Sequence, residues 1–229
     1  MNMLDREVTM PAAVALDAPL SALLREGTRA EHEQAENEGF VSRLMSGGLD
    51  VAAYADLAAQ QHAVYTALEE ASAVVRADQR GTGLVFDELT RVPAIERDLA
   101  YLHGDGWREE IRVLPATETY VARLRDVGGD LPRYAAHAYT RYLGDLSGGQ
   151  IVQRMMQRHY GMGVAGLEFY DFPEIVKVKP FKDLYRERLD GLALSAEETD
   201  VAVAEAQEAF RLNRAVFVEL GERHPGVSR

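Results

Sequence analysis

Helical periodicity runs through nearly the whole chain, and no stretch alternates apolar and polar residues over a β-branched run long enough to make a convincing strand. A chain patterned this way builds its core by packing helices on helices. A first helix is expected from about residue 20 to past His32, with Asp17 or Pro19 near its start. A short one over 39–45 is ended by Ser46, Gly47 and Gly48. Asp50 reads as the N-cap of a long helix reaching about residue 77. Its apolar face uses Tyr54, Leu57, Val64, Tyr65, Leu68 and Val75. Shorter helices follow over 93–103 and 115–126, each with proline near its first turn. The pattern breaks at 128–132, resumes over 132–160, turns irregular over 169–180 and returns over 181–190. Ser195 and Glu198 form a capping box for a last helix whose inner face reads Ala206, Phe210, Asn213, Phe217 and Leu220. The absence of internal repeats and linkers predicts a single all-α domain over 19–221, between a poorly ordered leader at 1–18 and a polar tail at 222–229.

Composition narrows the function classes. A net charge of −12 in 229 residues disfavours a general nucleic-acid binder and attachment to an anionic membrane. No apolar run approaches the roughly 20 residues of a spanning helix, so no membrane anchor is expected. The lack of cysteine removes disulfides and thiolate metal sites and fits a reducing cytoplasm.

One stretch conflicts with its surroundings. Gly144, Gly148 and Gly149 interrupt an otherwise helical run, and each costs a helix interior about 1 kcal/mol relative to alanine. A glycine C-cap between two helices is the plain reading, but the helical pattern resumes at once. Gly144 and Gly148 are spaced i, i+4 and share a face without side chains. Either a neighbouring helix or a planar ligand approaches such a face closely. Asp145 shares a face with Arg141 and Gly148. It reads either as half of a structural pair with Arg141 or as a carboxylate that organises water beside bare backbone.

The histidines limit metal chemistry. None of the six has glutamate three residues before it, and no His-Glu-x-x-His occurs, so di-iron and zinc helices are excluded. A metal held by a single histidine needs a group that brings its own ligands, as a porphyrin does. His32 is the candidate: Glu36 follows one turn later as a hydrogen-bond partner, and Arg25 and Arg29 precede it on what reads as the same helix. A charged helix surface is the alternative. His62 and His137 fall on inward faces and read as core histidines, while His103, His159 and His224 sit near helix ends.

Together these segments resemble the haem oxygenase family. Residues 139–150, YTRYLGDLSGGQ, are similar to that family's distal-helix signature, and 31–40, EHEQAENEGF, to its proximal-histidine segment. YTALEE at 65–70, FKDLYRERLD at 181–190 and AFRLNRAVF at 209–217 match in order. The resemblance implies haem between two helices, with His32 as iron ligand and Glu36 its partner. It implies that Gly144 and Gly148 lie against the haem face. Arg25, Arg29, Tyr139, Lys182 and Arg186 correspond to contacts with the haem propionates. The family commonly has lysine at the positions of Arg25 and Arg29, and arginine changes the geometry there. Asp145 corresponds to the carboxylate that organises distal water, and Tyr65, Arg141 and Asn213 to its hydrogen-bond network. Haem b is then both substrate and cofactor, O2 is consumed, and the products are biliverdin, carbon monoxide and ferrous iron. No flavin or nicotinamide fingerprint of the G-x-G-x-x-G type is expected, so a separate ferredoxin or flavoprotein reductase supplies electrons. A basic patch of Arg25, Arg29, Lys177, Lys179, Lys182 and Arg186 is the docking candidate, and a bilin-accepting partner is a further candidate. Two rivals remain: a haem carrier that does not turn haem over, and a helical interaction module without haem.

Overall fold

The computed structural model describes residues 18–36 and 38–226, the Glu36 side chain excepted. The expected leader, Ala18 apart, and the last three residues of the tail lie outside the described residues. Eleven α-helices and no strand occur among those described.

The centre is built by α4 (Val51–Arg76), α7 (Pro115–Val127), α8 (Leu131–Ala138) and α11 (Ala196–Arg223). α4 packs on α7 and on α5 (Val92–His103), and α11 packs on α8 and α7. Asp50 caps α4 by accepting the Ala53 N–H at 2.9 Å. Ser195 and Glu198 close the capping box at the start of α11. All six residues predicted for the inner face of α4 are buried. The inner face of α11 is rotated from its expected position: Ala202, Glu205, Ala206, Ala209, Leu212, Val216 and Leu220 are buried, whereas Phe210, Asn213 and Phe217 are half-buried on its flank. Helices reach α11 from two sides, so burial is wider than one narrow stripe.

The buried Glu205 carboxylate is held by Arg123 (Nε to Oε1 2.9 Å, Nη2 to Oε2 2.5 Å) and by His137 Nε2 at 2.9 Å. His137 is therefore a core histidine tying α8 to α11. His224 bonds Asp56 Oδ2 at 2.8 Å, and Arg223 reaches the same oxygen at 2.8 Å, fixing the end of α11 to α4.

The first predicted helix is two. α1 (Leu20–Gly27) stops at Thr28, whose hydroxyl and N–H both donate to the Leu24 carbonyl, and α2 (Arg29–Glu36) starts anew. The bend has a packing cause: the Gly27 carbonyl accepts Gln207 Nε2 at 2.7 Å, and a Cβ on Gly27 would meet Val203 at 2.6 Å. Arg25 and His32 therefore stand on different helices, contrary to the expectation of one. After α3 (Gly39–Met45), α6 (Trp107–Glu110), α9 (Gln150–Tyr160) and α10 (Val178–Asp190) complete the set.

The spacing G-x-G-x-x-G does occur once, at 161–166, contrary to expectation. It follows α9 rather than a strand, and Gly161 (φ +64°) ends that helix in the left-handed conformation. A dinucleotide fingerprint needs a strand before the glycines and a helix after them, so this is helix-end chemistry.

Candidate functional site

Between α8 and α9 the backbone stays helical but widens. Tyr139–Leu143 and Asp145–Gly149 are π-helical, with Gly144 at the junction (φ −61°, ψ −49°). None of the three glycines has positive φ, so the C-cap reading is excluded. A π turn closes i→i+5 bonds, and such turns are common at functional sites.

The glycines divide by role. A Cβ added to Gly144 or Gly148 would meet nothing within 4 Å among the described residues, and both are exposed. No neighbouring helix covers them, which removes the helix-packing alternative. Gly149 is different: a Cβ there would sit 2.9 Å from the Tyr170 ring. It is glycine because Tyr170 packs on its backbone.

Asp145 is half-buried beside this bare surface. Its Oδ2 accepts the hydroxyl proton of Tyr65, a fully buried side chain on α4. The expected direct pair between Asp145 and Arg141 is not made. Arg141 turns inward, is buried, donates to Asn213 Oδ1 at 2.6 Å, and places its guanidinium 4.9 Å from the Tyr65 ring centroid. Burial raises the Asp145 pKa; Arg141, the Tyr65 hydrogen bond and Arg91 oppose the rise without cancelling it. Burial also pushes Tyr65 well up, reinforced by Asp145 and opposed by Arg141, so its phenol stays a donor. Burial works against the Arg141 charge, but Tyr65, Asp145 and Tyr120 outweigh it and raise its pKa.

α11 joins the two sides of the site. The exposed His32 ring meets Phe210 edge-on, with centroids 5.6 Å apart. Asn213, three residues on and therefore on a neighbouring position of the same face, holds Arg141. Tyr139 is half-buried; burial raises its pKa while Arg186 and Arg25 pull it down, so one phenol and two cations from three segments lie within electrostatic reach. Lys182 Nζ donates to Ser147 Oγ at 3.1 Å, linking α10 to the π-helical stretch. Arg29 is paired with Glu26, and Arg186 with Asp183 at 2.9 Å. The side chain of Glu36 lies outside the described residues. A cavity of about 610 Å³ between α2, α11 and Pro115 includes Phe210 but no residue of 139–149, and is separate from the glycine surface.

Sequence reasoning passed over Phe169 and Tyr170, which back this stretch. They lie where the periodicity is irregular, and only the density of aromatic residues in FYDF marked them.

The geometry defines an all-helical protein with an open, side-chain-free helical surface backed by a half-buried carboxylate held by a buried phenol. The family model described as heme oxygenase matches residues 18–219. The chain is 38% identical over 202 residues to heme oxygenase 1 of Synechocystis sp., spanning 88% of this chain and 84% of that one. It is likewise 38% identical to heme oxygenase 1 of Rattus norvegicus, spanning 92% and 74%. The crystal structure of the Synechocystis heme oxygenase-1 in complex with heme superposes with a TM-score of 0.86 at 37% identity, covering 90% of this chain and 94% of that one. Heme oxygenase from Leptospira interrogans gives 0.84 at 35% identity, covering 88% and 100%. The chain belongs to the haem oxygenase family, enzymes whose reaction converts haem to biliverdin.

Proposed function

We propose that Asp145 governs the proton in haem ring opening by this chain, and that the open Gly144–Gly148 surface is where the porphyrin lies. The observation that carries the reading is the juxtaposition of those bare glycines with the Tyr65–Asp145 pair. The residues fit the group: a side chain at 144 or 148 would fill the space a flat macrocycle needs, and nothing else fills it among the described residues. Haem supplies the iron at which O2 is reduced and the ring carbon that is oxidised.

The chain's own part is holding, orienting and proton handling. His32 holds the iron from α2, its ring steadied by Phe210. Arg25, Tyr139 and Arg186, with Arg29 and Lys182 at the rim, receive the two propionates and so fix the rotation of the ring. Tyr65 occupies one carboxylate oxygen of Asp145 and leaves the other to hold water. Arg141, fixed by Asn213, keeps positive charge behind that pair. Water is a weak acid, and the 139–149 stretch contains no histidine, so no imidazolium stands there to force strong protonation. The proton therefore arrives through water placed by Asp145.

The family uses an external reductase. For this chain a ferredoxin or flavoprotein reductase is the proposed donor, docking where Lys177 and Lys179 follow Val176, which is 92% exposed. Carbon monoxide and ferrous iron leave with biliverdin, and the proposed setting is the cytoplasm. No helix of the described residues is long and apolar enough to cross a membrane.

Asp145→Ala tests the reading. The variant is expected to bind haem like the parent but to form biliverdin about 100-fold more slowly in air with a ferredoxin donor. Bilin chromatography and the haem absorption band report the outcome, and an unchanged biliverdin yield sinks the role.

A further inference from the structure

Asp98 on α5 is 1% exposed and faces a backbone turn. Its Oδ1 accepts the Glu168 N–H at 2.8 Å and its Oδ2 the Phe169 N–H at 2.8 Å. Arg91 grips the same turn by its carbonyls, donating to Asp171 O at 2.5 Å and Phe169 O at 3.2 Å, with its guanidinium 4.0 Å from the centroid of Phe172. The 3-10 turn Glu168–Tyr170 is thus held by an anion at its N–H groups and a cation at its carbonyls.

This turn bears on the glycine stretch. The Tyr170 ring fills the space beside Gly149, and its carbonyl accepts Gln150 Nε2 at 2.7 Å. The Phe169 ring meets Tyr65 edge-on with centroids 5.3 Å apart. Tyr65 in turn holds Asp145. A continuous path of contacts runs from the Asp98 carboxylate to the carboxylate proposed to govern the proton.

We propose that Asp98 is a positioning residue for ring opening: through the turn it clamps, it sets where the 144–149 stretch and the Tyr65–Asp145 pair stand. It rests on the reading of Asp145 given above, and Asp98 itself touches none of the reacting groups. The chemistry is a matter of donors and acceptors. An ionised carboxylate accepts both N–H groups. A protonated carboxyl, or an amide, offers one acceptor and one donor to two N–H groups and so loses one bond. Burial drives the Asp98 pKa up to about 6 against the two backbone hydrogen bonds, with Glu168 raising and Arg97 lowering it further. Around it stand Glu168, ion-paired with Arg97 at 2.6 Å, and the phenols of Tyr54 and Tyr170. The clamp is complete above about pH 6 and gives up one hydrogen bond as the pH falls through that value.

Amide hydrogen exchange on the haem-free protein from pH 5 to 8, corrected for intrinsic rates, reads the clamp without requiring turnover. In the parent, protection at Phe169 and across 144–149 is expected to fall together as the pH drops through about 6. In Asp98→Asn, protection at both places is expected to be about tenfold lower at pH 8 and independent of pH, the loss of one hydrogen bond. Ring opening in the parent is expected to slow as the pH falls through about 6, and in Asp98→Asn that acid limb is expected to be gone. Tyr170→Leu keeps the clamp and removes the ring beside Gly149. It should loosen 144–149 while leaving the Phe169 amide protected, which carries the test if Asp98→Asn does not fold. The inference is overturned if Asp98→Asn loosens the turn alone, with protection at 144–149 and the pH profile of ring opening as in the parent. Because the exchange reading needs no haem, it decides the coupling whether or not Asp145→Ala slows turnover.

Discussion

Gly144 and Gly148 cost helix stability, and under the proposed reading only a bound porphyrin offsets that cost. Each sits in a helical conformation where alanine is favoured by about 1 kcal/mol, and no described residue packs on either. Gly144→Ala is therefore expected to stabilise the haem-free protein by about 0.5–1 kcal/mol in a chemical melt, while weakening haem binding in a titration. A loss of stability without haem would show that the glycine serves the protein's own packing. Gly149 makes the internal comparison, because a methyl group there runs into Tyr170. One sequence motif thus contains two kinds of glycine, and spacing alone does not separate them. Asp145 teaches the same lesson. Its sequence neighbours suggested Arg141 as partner, yet the phenol that holds it comes from 80 residues away on α4.

At the scale of elements, the polar clamp between α7, α8 and α11 has a definite pH signature. Burial would raise the Glu205 pKa, but hydrogen bonds from His137 and Arg123 prevail and hold it at about 2, below the 4.5 of a free side chain. A carboxylate depressed on folding contributes stability above its unfolded pKa, and that contribution is lost as the pH falls through its folded pKa. Unfolding free energy is accordingly expected to decline between about pH 4.5 and pH 2 in the parent. Glu205→Gln should be less stable at pH 7, by about 1–2 kcal/mol, because the partly exposed Arg123 and the buried His137 lose their charged acceptor. Its denaturant midpoint should then vary less over the acid range. Helix positions were largely legible from periodicity and caps: Asp50, the capping box at Ser195 and the breaks at 46–48 all act as read. Two features were not. The bend at Thr28 follows from Gly27 closing on Val203, a contact between distant segments. The π-helical turns look like plain helix in sequence, because the choice between i→i+4 and i→i+5 bonding depends on what packs against each turn.

For the whole molecule, a net charge of −12 coexists with four cations, Lys177, Lys179, Lys182 and Arg186, carried at the start of α10 and along it. An acidic donor of the proposed kind would meet repulsion over most of the surface and attraction at these cations, which favours one docking orientation. Reduction by a ferredoxin is expected to slow several-fold between low salt and 0.5 M salt, as screening shortens to a few ångströms. Lys177→Glu with Lys179→Glu should slow it at low salt, while reduction by dithionite stays at the parental rate in stopped-flow traces. Equal rates with ferredoxin would place docking elsewhere. The amino-acid sequence determined the helical class, most element boundaries and the types of side chain on offer, because periodicity, capping and side-chain type are local properties. Only the tertiary structure decided that Gly144 and Gly148 face open space, that Tyr65 rather than Arg141 holds Asp145, and that the Asp98 turn braces Gly149. Each of these depends on which surfaces meet across long stretches of chain, and that is settled by how helices of unequal length fill one core.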